Sequence, residues 1–325
     1  MRALRPSRKR LRAETSSPVS SLGPRKDEGE SMLTHLDHLI IATDDLQESQ
    51  RQCIALLGRS PSWTGEHPSF GTRNVIFKLE NTYIELLAPE GEGPVADALS
   101  AYLSEEGPGL YALALGTEDA EGAVAEMRER GLSPSEPVDG LAHDDPSGAF
   151  RRFRNVWLPE KDTRGIRLFV IEHLSEPELL PPSLPVAGSG SVVERVDHVV
   201  MMTREPDRAV DFYGEKLGIR LALDRTFEKR GLRLLFFRLG GTTLEISAPL
   251  SNDAELGAGQ TDADSDHLWG IAYSVTDAEA ARARMLEAGL KASDVRDGHK
   301  SGTRVFSIGG SPLGIPTLVI QPVDA

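Results

Sequence analysis

Two short motifs recur in the two halves of this chain, and their recurrence constrains the fold more than any other feature. The run LTHLDHLIIAT (33–43) matches ERVDHVVMMT (194–203), and YIELLAP (83–89) matches TLEISAP (243–249). In each half the histidine of the first motif precedes the glutamate of the second by the same 47 residues. A spacing kept this closely indicates a duplicated structural unit.

Both motifs are short, apolar and rich in β-branched residues, which is typical of buried strands. The first motif of each half leads into an acidic helix start and a helical apolar pattern, which ends at Gly58 or Gly218. Alternate residues of a strand share a face, so His38 lies on the side of Leu36 and Ile40. A lone histidine there is more often a satisfied core residue than a ligand. Two His/Glu pairs at one spacing instead favour duplicated polar sites, because a buried carboxylate is costly unless paired or metal-bound.

The same order of strand, helix and strands begins again at LYALALGT (110–117) and LWGIAYSV (268–275). The predicted fold is therefore α+β, with four βαβββ modules arranged as two pairs. A Pro-, Gly- and Ser-rich connector separates the two halves. The expected parts are a disordered basic tail (1–31), a first domain (32–178, with modules 33–90 and 108–175), a linker (179–191) and a second, more degenerate domain (192–325).

Composition narrows the class of partner. The net charge of the 325-residue chain is −14, although residues 1–31 carry eight Lys/Arg and only four Asp/Glu. An acidic body argues against nucleic-acid binding, which requires a basic face. No apolar run is long enough to predict a membrane span, which needs about 18 residues. A single cysteine, Cys53, excludes an intrachain disulfide and a cysteine-based zinc site, and it is compatible with the cytoplasmic location that we expect.

The four modules resemble the vicinal oxygen chelate superfamily, the group of the glyoxalases, bleomycin-resistance proteins and extradiol dioxygenases. The resemblance rests on the openings DHLII and DHVVM, the closings YIELLAP and LEISAP, and their fourfold order over residues 33–325. The first half is similar to the glyoxalase-like branch through His67-Pro68, GTRN (71–74) and YIELLAP. The resemblance implies that the modules pair into two tandem half-open β-barrel domains. Each would form a cup, with a divalent metal held by the first and last strands of each module.

Carried onto this chain, the resemblance gives three metal-ligand positions in the first cup and two in a second candidate site. Counting back seven residues from the acid that starts each helix places Ala112 and Gly270 where a second histidine is expected. Gln321 replaces the closing glutamate of the second cup. The standard dioxygenase set of two histidines and a glutamate is thus absent from both cups, which disfavours a dioxygenase and a standard glyoxalase I. The predicted metal ligands are His38, Glu85 and Glu172 in the first cup, and His198 and Glu245 in the second.

These residues support a first functional hypothesis. One imidazole and two carboxylates suit Mn²⁺, Fe²⁺, Zn²⁺ or Mg²⁺, with water in the open positions. Such a metal polarises bound oxygens, and Glu85 or Glu172 would act as the general base. The chain would then be an isomerase, epimerase, lyase or hydrolase acting on a small oxygenated substrate. His67 and Asn74 are predicted beside the mouth of the cup, where they would contact that substrate.

Two alternatives stay open. His38 and Glu85 can form a buried charged hydrogen bond without metal, in a protein that only binds or sequesters a small apolar or aromatic molecule. The second cup can be a structural partner that packs on the first or mediates a homodimer. His173 is expected on the outer face, next to Glu172. Arg151 belongs to a basic patch that an anionic substrate could use.

Overall fold

The computed structural model describes residues 32–251 and 265–323, so the predicted basic tail lies outside the described residues. Modules one and two build the first sheet. Its strands are His35–Ala42 (β1), Trp63–His67 (β2), Thr72–Lys78 (β3), Tyr83–Pro89 (β4), Gly109–Gly116 (β5), Val138–Asp144 (β6), Phe150–Trp157 (β7) and Leu168–His173 (β8). Its helices are Leu46–Leu57 (α1), Pro94–Glu105 (α2), Ala120–Glu129 (α3) and Glu160–Thr163 (α4).

The helix α1 shows how local sequence sets an element. Asp45 caps its N-terminus by accepting a hydrogen bond from the Glu48 N–H. Gly58 ends it with φ of 70° and donates its N–H to the Ile54 carbonyl. That left-handed conformation favours glycine, so the predicted C-terminal stop is confirmed.

The first sheet closes into a barrel in the order β1-β4-β3-β2-β6-β7-β8-β5. The closing pair is β2 with β6, where Gly65 lies opposite Asp144 and Glu66 opposite His143. A Cβ on Gly65 would lie 1.7 Å from the His143 carbonyl oxygen, so this close approach of the two backbones requires glycine. The barrel is therefore fully closed rather than half-open.

Modules three and four build the second sheet, which stays open in the order β10-β11-β12-β9-β13-β17-β16-β14, with β15 paired to β16. Two helices and a π-helical segment, Val210–Lys216, accompany it. The strands are Val193–Met202 (β9), Arg220–Phe227 (β10), Leu232–Leu239 (β11), Thr242–Pro249 (β12), His267–Val275 (β13), Lys291–Ala292 (β14), Arg296–Asp297 (β15), Arg304–Gly309 (β16) and Thr317–Gln321 (β17), and the helices are Pro206–Ala209 (α5) and Ala278–Glu287 (α6).

The predicted α+β architecture of four βαβββ modules in two tandem units is confirmed. One apolar cluster runs through both sheets and their helices, while a second lines the inside of the first barrel. The helix α2, which follows β4, was not predicted. The proposed linker falls between β8 and β9, and the domain boundaries stay a prediction. No helix in the described part of the chain is long and apolar enough to cross a membrane.

Candidate functional site

Strands β1 and β4 bring His38 and Glu85 together inside the first barrel. The two strands are parallel, and Glu85 lies opposite Ile40, two residues after His38 on the same face of β1. The His38 Nε2 atom is 3.3 Å from Glu85 Oε2. Both side chains are almost fully buried. The common spacing of the two motifs therefore reflects a contact between facing side chains.

A second carboxylate, Asp37, holds the other side of the imidazole. The Nδ1–H of His38 donates to Asp37 Oδ1 at 2.6 Å. Burial alone would lower the pKa of His38, but the hydrogen bonds and charges of Asp37 and Glu85 outweigh it and raise this pKa from 6.5 to about 9. Burial would likewise raise the pKa of Glu85, yet His38, together with His67 and Asn74, lowers it from 4.5 to about 2. The pair is thus a buried imidazolium and carboxylate at neutral pH.

His67 and Asn74 lie on β2 and β3 in the barrel interior rather than beside the mouth of the cup. The Asn74 Nδ2 atom donates to Glu85 Oε1 at 2.6 Å and lies 3.4 Å from His67 Nε2. The His67 Nδ1 atom is 3.1 Å from Thr72 Oγ1. Burial, aided by the charges of His38 and Arg151, lowers the pKa of His67 against the opposing charge of Glu85. His67 is therefore a neutral base beside the ion pair.

The last two residues of β8, Glu172 and His173, point to the opposite faces from those predicted from the sequence. His173 lines the barrel interior, and its Nε2–H donates to Asp37 Oδ2 at 3.0 Å. Glu172 points to the other face, where its Oε2 lies 3.6 Å from the Arg154 Nη1 atom. The structure does not bring Glu172 to His38 and Glu85. Glu172 was predicted inside the cup and His173 on the outer face, and both predictions were wrong. Because adjacent residues of a strand point to opposite faces, one error entails the other.

The strand register identifies the residues of the second module that match the His38/Glu85 pair. Glu85 lies opposite the residue two positions after His38, and Phe169 lies opposite the residue two positions after Ala112. Phe169, not Glu172, therefore occupies the place equivalent to Glu85. The second module contributes a methyl group and a phenyl ring to the cup where the first contributes an imidazole and a carboxylate.

These groups form one end of a cavity of about 530 Å³ inside the barrel. His38, His67, Glu85 and His173 all line it. The helix α2 contributes Pro94, Val95 and Ala98 to its wall. Most of the remaining surface is apolar, with an aromatic belt of Phe70, Tyr83, Tyr111, Phe153, Trp157 and Phe169. The cavity thus combines an apolar body with a small number of convergent polar groups, as small-molecule sites do.

The second cup keeps a looser version of the pair. The His198 Nε2 atom is 3.6 Å from Glu245 Oε2, and its Nδ1–H donates to Asp197 Oδ1 at 2.7 Å. Burial, opposed by His198, raises the pKa of Glu245. The register places Leu318 at the position equivalent to Glu245. Gln321 instead accepts a hydrogen bond from the backbone of α6, so its assignment to the cup was wrong.

Comparison with known proteins identifies the family. A model described as "Glyoxalase-like domain" matches residues 36–189, and one described as "Glyoxalase/Bleomycin resistance protein/Dioxygenase superfamily" matches residues 197–306. The chain belongs to the vicinal oxygen chelate superfamily.

Among its relatives in that superfamily are two epimerases. An ethylmalonyl-CoA/methylmalonyl-CoA epimerase of Cereibacter sphaeroides is 34% identical over 121 residues, which cover 35% of this chain and 86% of that protein. The human mitochondrial methylmalonyl-CoA epimerase is 28% identical over 136 residues, 41% of this chain and 71% of that protein.

Solved structures share the fold over most of the chain. A mutant of 4-hydroxymandelate synthase from Streptomyces coelicolor superposes with a TM-score of 0.61 at 14% identity, and the match covers 90% of this chain and 94% of that one. A Staphylococcus aureus protein gives a TM-score of 0.59 at 12% identity, over 89% and 99% of the two chains. At such identities the likeness is one of fold.

Members of the superfamily typically bind a divalent metal, and the first cup does not fit that ligand set. No three His, Cys, Asp or Glu side chains within residues 32–251 and 265–323 are arranged to hold a metal ion. Ala112 and Phe169 fill two of the four family positions, and neither offers a donor atom. Asn74 directs an N–H, rather than an oxygen, between Glu85 and His67. The remaining donors, His38 and Glu85, satisfy each other.

Proposed function

We propose that the first cup is the active site of an isomerase- or epimerase-type enzyme that moves a proton on the carbon next to a carbonyl group of a small substrate. One observation carries the proposal. The buried His38–Glu85 ion pair faces an apolar cavity that is large enough for a small molecule. An ion pair of this kind offers one acid and one base on the same side of a substrate.

The proposed step neutralises the ion pair. Glu85 takes the proton from the substrate carbon as the Nε2–H of His38 passes its proton to the carbonyl oxygen, which gives a neutral enol. Both side chains then become neutral in an apolar surrounding. Departure of the Nε2 proton ends the hydrogen bond from His38, the largest of the interactions that lower the pKa of Glu85. The carboxylate therefore becomes a stronger base as the transfer proceeds. Delivery of the Glu85 proton to the adjacent carbon, with a hydroxyl proton returned to His38 Nε2, completes the isomerisation of a 2-hydroxy carbonyl compound. An epimer forms instead when a solvent proton reaches the opposite face of the same carbon, Glu85 releases its proton to solvent and His38 recovers the enol proton.

Neighbouring groups hold the pair in place. Asp37 fixes the orientation of His38 through Nδ1 and compensates its charge in the resting state. Asn74 is fully buried, does not line the cavity and donates to Glu85, so it is a positioning residue rather than a substrate contact. His67 lines the cavity in neutral form and supplies a second base on the far side of Asn74.

The predicted Mn²⁺, Fe²⁺, Zn²⁺ or Mg²⁺ is not part of this proposal, because the side chains of the first cup do not match the four family positions. Glu172 likewise has no role in the proposed chemistry. Its carboxylate lies on the outer face with Arg154. This separation provides a matched control for the experiment.

The test is exchange of substrate protons with solvent. The protein is incubated in ²H₂O with ketones, 2-oxo acids and acyl thioesters, including the methylmalonyl-CoA named for the relatives, and deuterium uptake is followed by mass spectrometry. Glu85→Gln should lower the exchange rate about 10²- to 10⁴-fold, the usual contribution of a general base. Glu172→Gln should leave it unchanged. Equal exchange by wild type and Glu85→Gln on every compound would overturn the proposal.

A second candidate function is sequestration of an apolar molecule without chemistry. The methyl and phenyl groups of Ala112 and Phe169, at places where the family carries ligands, favour it. The same experiment separates the two functions, since a sequestering protein would bind compounds in the cavity and exchange none of their protons. The second cup is proposed to be structural, so His198→Gln with Glu245→Gln should leave exchange at the wild-type rate.

A further inference from the structure

A buried arginine in the first barrel has few partners of its own. Arg151 lies on β7, is 8% exposed and lines the cavity. Its guanidinium stands over two aromatic rings, 5.6 Å from the ring centroid of Trp63 and 5.9 Å from that of Tyr83. The Tyr83 ring also stacks on His38 at 4.4 Å, which puts Arg151 at the end of the cavity that holds the ion pair.

Among the residues that the structure describes, no carboxylate lies within 4 Å of the Arg151 guanidinium. Its one side-chain hydrogen bond there is to His173 Nδ1, at 3.4 Å. The other ring nitrogen of His173, Nε2, lies 3.0 Å from Asp37 Oδ2, so His173 bridges Arg151 and Asp37. Arg154, on the other face of the same strand, contrasts with this arrangement, because three carboxylates surround it.

An arginine with this surrounding is suited to a ligand. A guanidinium has five N–H donors and keeps its charge in proteins, so donors left without acceptors in a buried place are costly. The planar fork matches the two oxygens of a carboxylate, and the flanking rings hold its plane. Asn155 lies four residues after Arg151, on the same face of β7, and is also buried. Its side-chain oxygen has no hydrogen-bond donor among the described residues.

We propose that Arg151 anchors the substrate through a carboxylate, and that the cavity takes small monocarboxylates with an apolar or aromatic body. The inference rests on the proposed function for the identity of the reacting end, where Arg151 would hold the carboxylate beside His38 and Glu85. The aromatic belt receives the body of the molecule. A carboxylate fits better than a phosphate, because one cation balances one negative charge and a dianion would leave the second charge buried.

Binding of two probes of equal shape tests the inference without requiring turnover. Calorimetric titration compares 3-phenylpropanoate with 3-phenylpropanamide, which lacks the charge. Wild type should bind the carboxylate about tenfold or more tightly than the amide, the effect of a hydrogen-bonded charge. Arg151→Met should weaken carboxylate binding to the level of the amide and leave amide binding unchanged. Arg152→Met, at the exposed neighbour on the opposite face, should keep the wild-type preference.

Circular dichroism checks that each variant is folded, and Arg151→Lys, which keeps the charge without the fork, replaces Arg151→Met if the latter fails to fold. The lysine variant should lose part of the preference for the carboxylate. Absence of carboxylate binding to wild type, equal affinities for the two probes, or a full preference in the Arg151 variant would overturn the inference. Tighter binding of 2-phenylethyl phosphate would overturn the assignment to a carboxylate.

The outcome is separable from that of the proposed function. Glu85→Gln should keep the preference for the carboxylate, since Arg151 remains. A preserved preference in a protein that exchanges no substrate protons would refute the proposed chemistry and leave the anion site standing. Exchange that proceeds equally on substrates with and without a carboxylate, and that Arg151→Met does not slow, would refute the anion site alone.

Discussion

The charge on His38 should make the stability of the protein depend on pH in a defined window. Its pKa is about 9 in the folded protein against 6.5 for the free side chain. A group with a raised folded pKa stabilises fully below its unfolded pKa, and this contribution is lost as pH rises through the folded pKa. At about 1.4 kcal/mol for each tenfold change in proton affinity, the contribution is about 3 kcal/mol. It should disappear between pH 6.5 and 10, at about 1.4 kcal/mol per pH unit from pH 7 to 9.

Urea unfolding of chelator-treated protein at half-unit steps of pH measures this effect, with His38→Gln as the reference. The difference between the two free energies of unfolding removes the contributions that both proteins share, including that of the buried Cys53 thiol. Burial raises the pKa of this thiol above its ordinary value of 9.0 in the folded protein. The thiol therefore ionises in the unfolded chain alone at the upper end of the window. The difference between wild type and variant should shrink by about 3 kcal/mol across the window. Parallel profiles would refute the ion pair as the resting state of the site.

Two further predictions concern the barrel and its missing donors. Gly65→Ala should destabilise the protein by about 3 kcal/mol or prevent folding, because its Cβ would overlap the backbone of β6; Gly214→Ala, whose Cβ would meet only Phe237 at 3.7 Å, should change the melting temperature little. Ala112→His combined with Phe169→Glu should raise bound Zn²⁺, measured by elemental analysis after dialysis, to about one ion per chain. Equal zinc in the wild type would show that these donors were not missing.

The architecture and the central pair were predictable because they depend on local patterns. The repeat of His38 and Glu85 in the second half at a fixed spacing implies a contact, since both occupy the same positions in equivalent strands. The helix α1 could be placed because its cap and its glycine stop are local signals. These features need no knowledge of which strands pair.

The closing position of the second module could not be found in this way. LFVIEH is apolar on both faces of its strand, so the alternation of apolar residues does not show which face is interior. Glu172 was predicted as a ligand because it is the acidic residue of this strand. Which residues of β8 face the interior follows only from the pairing of β5 with β8. The long segment between these two strands makes that pairing difficult to predict from the sequence. His67 and Asn74 were expected beside the mouth of the cup because EHPSFGTRN is polar and rich in turn residues, although only its centre forms the turn.

The same strand register shows how the two modules differ at their equivalent positions. A barrel built from two equivalent modules has two equivalent places for each ligand. Here the first module carries His38 and Glu85 where the second carries Ala112 and Phe169. Charged groups spread over both sides would leave little apolar surface for a substrate. Gathering the ion pair and Arg151 at one end leaves a continuous aromatic wall of which Phe169 is part. Under the proposed function, this arrangement would orient a molecule that is charged at one end and apolar along its body.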